Sequence, residues 1–326
     1  MGFFPSEAIL GLKFLADMAL HNLKWFRMEE KLEFLLALAR EKHFGRAAQA
    51  CGVSQPNLSA AIKQLENTLG IPLVDRGSRF FGFTAEGQRV LEWARRIVGD
   101  MNAMRADVET MKQGDIGHLR IGAIPTALPV MVRHTSALWA VHPGIELTIS
   151  SHTSTDILGR IDNLQLDAGI TYLDNEPLGR VYEVPLYRER YHLVTSSDGP
   201  FRDRKSVTWE EAASLPLCLL SRDMQNRRII DQVFTEAGID IHPKLESNSI
   251  IVIKTHLGSG VWSTIMPHIM VEALDLPSSI RAIPLVAPEV TRLIGLVVAQ
   301  RDPQPPLTAA LIDEARKIAP RLAEMA

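Results

Sequence analysis

With 326 residues, 46% of them apolar and 22% charged, and a net charge of −3, the chain has the composition of an ordinary soluble globular protein with room for two or three domains. The charge balance excludes a wholly basic nucleic-acid binder, and no apolar run reaches the roughly 18 to 20 residues that span a bilayer. The N-terminus has no basic start or small-residue cleavage site, and Lys13 and Asp17 interrupt its apolar stretch, so no secretory signal is read and a cytoplasmic location is expected.

Residues 1–27 read as an extension outside the core fold. Leu10, Phe14 and Met18 would share one face of a short helix there, and Met28 is an equally good start of translation. A helix is predicted over 29–42, with Leu32, Leu35, Leu36 and Ala39 on one face, and a second over 44–50. Cys51-Gly52-Val53-Ser54 then reads as a turn. Gly52 takes the left-handed conformation that ends a helix, Ser54 caps the next one through its hydroxyl, and Pro56 sits in a first turn where its missing N–H costs nothing. The third helix runs to Leu69 on a buried stripe of Leu58, Ile62, Leu65 and Leu69, and Gly70 ends it. A small hairpin is predicted over 73–84 with Gly77-Ser78 at its tip.

Next comes a long helix in which Val90, Ala94, Ile97, Met101, Met104, Val108 and Met111 alternate in steps of four and three. That heptad seam predicts a homodimer through this helix. The alternative is a helix packed on its own domain, whose apolar face is usually wider and loses heptad phase sooner. After Gly114 strands and helices alternate. Strands are expected over 119–123, 146–150 and 167–172 with helices over 130–141 and 155–164, an order that implies a mostly parallel sheet covered on both faces. Strands over 191–195, 217–220 and 261–265 and helices over 226–237 and 250–257 form a second set. The chain returns through a strand over 293–298 to a last helix over 307–322.

Ten basic against eight acidic residues between Met28 and Arg96, a surplus of two, leave −5 for the rest, so any DNA-binding charge lies at the N-terminal end. The segment AAQACGVSQPNLSAAIKQLENTLGIPLVDR, Ala47 to Arg76, followed by Thr84-Ala85-Glu86-Gly87, closely resembles the DNA-binding domain of LysR-type transcription regulators. The elements S-Q-P, S-x-x-I-x-x-L-E-x-x-L-G and T-x-x-G carry the match over about sixty residues. The resemblance implies an N-terminal all-α winged helix-turn-helix and a linker helix, then a C-terminal α/β two-lobed effector domain like periplasmic binding proteins. The expected layout is an extension (1–27), a DNA-binding domain (28–86), a dimerising linker (87–113) and an effector domain (114–326). The last divides into one lobe of 114–188 plus 292–326 and another of 189–291.

In a helix-turn-helix the second helix enters the major groove with its N-terminal residues on base edges. Here these are Gln55, Pro56, Asn57 and Ser59, placed by the Ser54 turn. The amides can pair bidentately with adenine and Pro56 can touch a thymine methyl. Arg46, Lys63, Arg76 and Arg79 are placed to meet phosphates of double-stranded DNA. Three departures stand out. His43 replaces a Ser that caps the second helix, which predicts a weaker cap. Val74 and Phe83 replace Phe and Leu in what reads as one compensated core. Ala60 and Ala61 leave the groove-facing helix less basic.

The resemblance further implies a small-molecule effector of unknown identity between the lobes, no other cofactor and no metal. It also implies assembly to a homodimer and homotetramer, and contact with RNA polymerase. Three segments suit an anionic effector: Pro125-Thr126; the hydroxyl-rich Ser151-His152-Thr153-Ser154-Thr155; and Ser221-Arg222-Asp223-Met224-Gln225-Asn226 with Asn248 and Ser249. Thr126, Thr153, Ser154, Arg222 and Asn248 are the candidate contacts, although hydroxyls at helix starts are also ordinary caps. Some relatives sense peroxide through a cysteine pair in the second lobe. Counted from Glu236-Ala237-Gly238, that pair would fall near Met224 and Val233. The only cysteines are Cys51 and Cys218, so no disulfide switch is expected and both read as small buried hydrophobes. An enzyme or a transport-type binding protein is the competing reading. The chain has no phosphate-binding glycine loop, no H-E-x-x-H, no G-x-S-x-G and no Cys/His cluster at metal spacing to support one.

Overall fold

The computed structural model describes residues 28–76, 80–113 and 116–324. The expected extension and the hairpin tip with Arg79 lie outside the described residues. The chain divides between Arg105 and Ala106 into two compact units.

In the first unit α1 (28–41) and α2 (Phe44–Ala50) are followed by α3 (Gln55–Leu69), β1 (Val74–Arg76) and β2 (Phe80–Phe83), and α4 (Ala85–Gln113) begins there and runs past its limit at Arg105. The core gathers Leu35 and Leu38 of α1, Ala47 of α2, Leu58, Ile62 and Leu65 of α3, and Leu73, Leu91 and Ala94, each at most 1% exposed. Each buried leucine or isoleucine contributes about 1.5–3 kcal/mol. Leu69, expected on the same stripe, is instead 41% exposed, because Gly70 (φ 73°) turns the chain away one residue later.

The turn between α2 and α3 forms as its residues dictate. Gly52 has φ 68°, and the Ser54 hydroxyl accepts the Asn57 N–H at 3.4 Å. The weaker cap expected at His43 is corrected: its Nδ1 accepts the N–H groups of Gly45 (3.0 Å) and Arg46 (3.3 Å). An unprotonated imidazole nitrogen is as competent an acceptor as a serine oxygen. Val74 pairs directly with Phe83 across the hairpin, so the two size changes face each other.

Two spacings of the sequence become physical contacts. Glu66 Oε1 accepts the backbone N–H groups of Leu73 (2.9 Å) and Val74 (3.2 Å), tying α3 to the hairpin. The Thr84 hydroxyl donates to the Pro72 carbonyl (2.8 Å) and accepts from Gly87 N–H (2.9 Å), so it anchors and caps α4 together. Gly87 lies so close to the hairpin that a Cβ there would sit 2.0 Å from the Leu73 carbonyl oxygen.

The second unit is built on one continuous sheet of order β4 (Ile145–Ser151), β3 (Gly117–Ala123), β5 (Ala168–Tyr172), β12 (Thr291–Ala299), β6 (Val181–Ser196), β11 (Ile280–Val286) and β7 (Val207–Thr208), with β10 (Thr264–Pro267) also on β6. Strands β3 (Gly117–Ala123), β4 (Ile145–Ser151) and β5 (Ala168–Tyr172) are parallel, joined by a short 3-10 turn (Pro125–Ala127), α5 (Leu128–Val141) and α6 (Ser154–Asp162). The expectation of a mostly parallel sheet stops there. β12 (Thr291–Ala299) is antiparallel to both β5 and β6, because it enters from the far lobe.

The sixteen residues of β6 (Val181–Ser196) run through both lobes. Residues 181–190 pair with β12, and residues 191–196 pair with β10 (Thr264–Pro267) and β11 (Ile280–Val286). Sequence reading finds only 191–195 of this strand. A bulge between the partners of Ile294 and Gly295 makes both Leu186 and Tyr187 point inward, which breaks the two-residue alternation. The second lobe adds β7 (Val207–Thr208), α7 (Trp209–Ala213), β8 (Cys218–Leu220), α8 (Gln225–Glu236), β9 (Leu245–Ser247), α9 (Ile250–Leu257) and α10 (His268–Ala273). The last helix, α11 (Pro306–Glu324), returns to the first lobe. Sequence reading missed β7, α7, β9 and α10, none longer than six residues, and the seven-residue β11, which contains Pro284. No helix among the described residues is long and apolar enough to cross a membrane.

Gly87→Ala is expected to destabilise the first unit by about 1–3 kcal/mol, the usual range for over-packing, at the upper end because the clash is with backbone. Urea unfolding followed by circular dichroism measures it, and an unchanged midpoint would contradict the contact.

Candidate DNA-reading face and effector cleft

The first turn of α3 stands clear of the core. Gln55, Pro56, Asn57, Ala60 and Lys63 are exposed and Ser59 is half-buried, while Leu58 and Ile62 face inward. Pro56, Ala60 and Lys63 share one helix face by their spacing of four and three. Gln55 folds towards α2: a Cβ at Gly45 would come within 3.3 Å of its Oε1. Arg46 is 62% exposed, and one Nη donates to the Glu41 carbonyl at 2.6 Å, which pins the guanidinium at the start of α2. Arg76 is the last residue of β1. The arrangement presents two amides, a proline ring and cations from two helices on a rigid core, which suits base-edge and phosphate contacts.

On α4 the predicted seam splits. Ala94 is fully buried with Leu91 and Val98 against its own unit. Ile97, Met104, Val108 and Met111 are 43%, 59%, 40% and 77% exposed, and Val90 and Met101 are half-buried. An apolar face at heptad spacing is thus left open beside the one already used.

In the second unit the carboxyl ends of β3, β4 and β5 meet the first turn of α8 across the two lobes, where open α/β sheets bind ligands. The predicted contacts differ in fate. Thr126 is 1% exposed and its hydroxyl has no hydrogen-bond partner. The Thr153 hydroxyl accepts the Asp156 N–H at 3.1 Å, so it is occupied as the cap of α6. Ser154, 3% exposed, accepts from Arg228 of α8 at 3.4 Å. Arg222 and Asn248 are exposed. Arg228, not Arg222, therefore reaches the hydroxyl-rich loop.

Arg228 was not singled out from sequence, although its place one helical turn past the Met224 cap was a usable signal. It holds Glu176, from the loop after β5, with two bonds of 2.7 and 2.8 Å. Those bonds raise its already high pKa. The same first turn sends Gln225 to the Asp174 carbonyl (3.5 Å) and Asn226 to the Tyr172 hydroxyl (3.2 Å). Tyr172 in turn donates to Glu189 Oε1 at 2.6 Å, and Tyr191 donates to the same oxygen at 3.1 Å. Glu189 is fully buried where β6 passes between the lobes, and its Oε2 has no partner. Burial pushes its carboxyl up from 4.5 to about 7, against the lowering effect of the two tyrosine hydroxyls.

Met224 caps α8 by its backbone alone, Val233 is buried in that helix, and Cys218 is buried in β8 with its thiol pushed up to about 11 by burial. Cys51 is half-buried rather than buried as expected. Both cysteines are free, and no His, Cys, Asp or Glu cluster that could hold a metal occurs among the described residues.

A helix-turn-helix with a hairpin wing, followed by a two-lobed α/β domain whose lobes are bonded to each other at strand ends, is the build of a DNA-binding regulator. The model of the bacterial regulatory helix-turn-helix of the lysR family matches residues 30–88, and that of the LysR substrate binding domain matches 112–319. The chain belongs to the LysR family of transcription regulators and is not an enzyme. It is 30% identical over 273 residues to the DNA-binding transcriptional dual regulator OxyR of Escherichia coli K12, covering 83% of this chain and 89% of that one. It is 28% identical to a probable nitrogen assimilation transcriptional activator of Synechococcus elongatus, covering 83% and 88%. Among solved structures, a substituted full-length OxyR from Pseudomonas aeruginosa superposes with a TM-score of 0.68 at 26% identity, covering 90% of this chain and 96% of that one. CbnR, a LysR family regulator solved with its target DNA, shares the fold with a TM-score of 0.56 at 21% identity, covering 89% and 99%.

Because the folded carboxyl of Glu189 is raised, its stabilising contribution is complete below pH 4.5 and is lost as pH rises through about 7. Glu189→Gln is expected to gain on wild type with rising pH, by on the order of 3 kcal/mol above pH 8. Denaturant unfolding at about pH 5 and about pH 9 checks this, and parallel losses in the two proteins would contradict it.

Proposed function

We propose that this regulator reads its operator through Gln55, Pro56, Asn57 and Ser59 at the start of α3, with Arg46, Lys63, Arg76 and Arg79 on phosphates, and that a small anionic metabolite bound between the lobes sets its activity. The exposed first turn of α3, capped by Ser54, is the observation that carries the DNA half. The interlobe position of Ser154 and Arg228 supports the effector half. The effector acts only as far as it binds one lobe arrangement better than the other. The exposed heptad residues of α4 support a homodimer, with a homotetramer and contact with RNA polymerase as the further steps of regulation. The domain limits in this reading are 28–86, 87–113 and 114–326.

Two relatives bear names that differ in stimulus, hydrogen peroxide and nitrogen assimilation, so kinship alone does not select the ligand. The cysteine-free start of α8 favours a ligand held without a covalent bond.

Binding to duplexes selected from a random pool, followed by fluorescence anisotropy, tests the DNA half. Gln55→Ala with Asn57→Ala is expected to lose about 1–3 kcal/mol of discrimination per lost base contact while keeping salt-dependent non-specific binding. Unchanged sequence preference would overturn the assignment of α3. Met104→Glu is expected to convert the dimer to monomer in sedimentation equilibrium, and an unaltered mass would remove α4 as the seam.

A further inference from the structure

Arg228 is saturated. A guanidinium carries five N–H donors, and here each has an acceptor. Nε and one Nη2 hydrogen go to the two oxygens of Glu176 (2.7 and 2.8 Å), and the second Nη2 hydrogen goes to Ser154 Oγ (3.4 Å). Nη1 donates to the carbonyls of Asp223 (2.6 Å) and Arg222 (3.4 Å). Three of the acceptors' positions follow from the elements that carry them: Ser154 begins α6, and Asp223 and Arg222 precede α8. Glu176 differs. It sits on the loop between β5 and β6, it is the only one of these acceptors with a full charge, and it grips the guanidinium in the planar two-bond geometry by which arginine binds any carboxylate. Both partners are still about a third exposed, at 34% and 32% of their side-chain surface, so a solute can reach the pair without unfolding either lobe.

We propose that Glu176 is a tethered occupant of the effector's carboxylate subsite: a small carboxylate binds Arg228 and Ser154 by displacing the Glu176 side chain, and Glu176 thereby sets the affinity. This rests on the effector reading above and names the group that an anionic ligand must exchange with. The exchange is ligand for ligand on one cation and requires no change in charge at Arg228. A pair this open to solvent can exchange one carboxylate for another, and its bidentate geometry makes Glu176 a real competitor for the ligand.

The test uses the full chain and sodium acetate against sodium chloride of equal ionic strength, with binding read by isothermal titration. Glu176→Gln is expected to bind acetate at least tenfold more tightly than wild type. Arg228→Gln is expected to abolish acetate binding in both backgrounds. Glu176→Asp, whose carboxylate is one methylene short of Arg228, is expected to fall between wild type and Glu176→Gln and keeps the question open to measurement should Glu176→Gln fold poorly. Equal acetate affinity in wild type and Glu176→Gln, binding that survives Arg228→Gln, or no acetate binding to any variant overturns the proposal. Operator binding by the same preparations is read separately by anisotropy. Its loss in wild type would refute the regulator reading, whereas normal operator binding with unchanged acetate affinity refutes only the tethered occupant.

Discussion

The backbone ladder of β6 is shared by both lobes, and the sensing half depends on that sharing. Residues 181–190 are hydrogen-bonded to β12 and residues 191–196 to β10 and β11. Each lobe therefore contains part of the same strand, and the lobes cannot part by translation without breaking ladder bonds. Their relative freedom is confined to the crossing, where Thr291 pairs with Arg190 and Arg292 with Glu189. The protein places a fully buried carboxylate at that point and satisfies one of its oxygens with tyrosines from β5 and β6. An ionised group with a bare oxygen is costly in such surroundings. Burial meets that cost by favouring the protonated form. Below about pH 7 the crossing is thus held by packing and hydrogen bonds to a neutral carboxyl, and above it by hydrogen bonds to a buried charge.

The linker helix shows a similar division of labour. Leu91, Ala94 and Val98 close the core of the DNA-binding unit, and Gly87 lets the helix start against the hairpin backbone. Ile97, Met104, Val108 and Met111 remain exposed at heptad spacing. A helix that needed only to finish its own domain would gain nothing from that second row. The arginine guanidinium of Arg96 covers Trp93 beside it at 5.1 Å, one of the ways an exposed aromatic is shielded. The second row is the one that the proposed pairing surface would use.

Much of this was legible in the sequence, for reasons that differ from element to element. The helix-turn-helix could be read residue by residue because its determinants are local: Gly52 for the left-handed turn, Ser54 for the cap, Pro56 for the first turn. The cap by His43 was misread because imidazole is a less familiar acceptor than a hydroxyl, although its chemistry suffices. Half of β6 was invisible because the bulge at Leu186 shifts the phase of its inward residues, and Pro185 and four charged residues (Glu183, Arg188, Glu189, Arg190) resemble a loop. Proline is tolerated there because residues 181–190 pair on one side only among the described strands. The cleft was the hardest part. Its hydroxyl-rich loop could be named, but the cation facing Ser154 comes from a different lobe. Only the fold distinguishes Arg228 from its neighbours: Arg222 is exposed, and Arg227 is buried in bonds to Asp231, Glu246 and the Leu220 carbonyl.

The start of α8 also constrains how a signal can be received. A cysteine pair would store the signal in a covalent bond, and the protein could then hold a changed state with no ligand present. Here Met224 and Val233 stand near the expected positions, and the Cys218 thiol is buried and held protonated. The effector proposed above would act at equilibrium, and its effect would be limited by the difference in its affinity for the two lobe arrangements. Such a difference arises most directly where a ligand touches both lobes. Gln225, Asn226 and Arg228 are the three side chains of one helical turn that already do so, reaching Asp174, Tyr172, Glu176 and Ser154. A ligand that enters there must replace at least one of these protein–protein bonds. The free energy of those bonds then sets both the threshold concentration and the extent of the response.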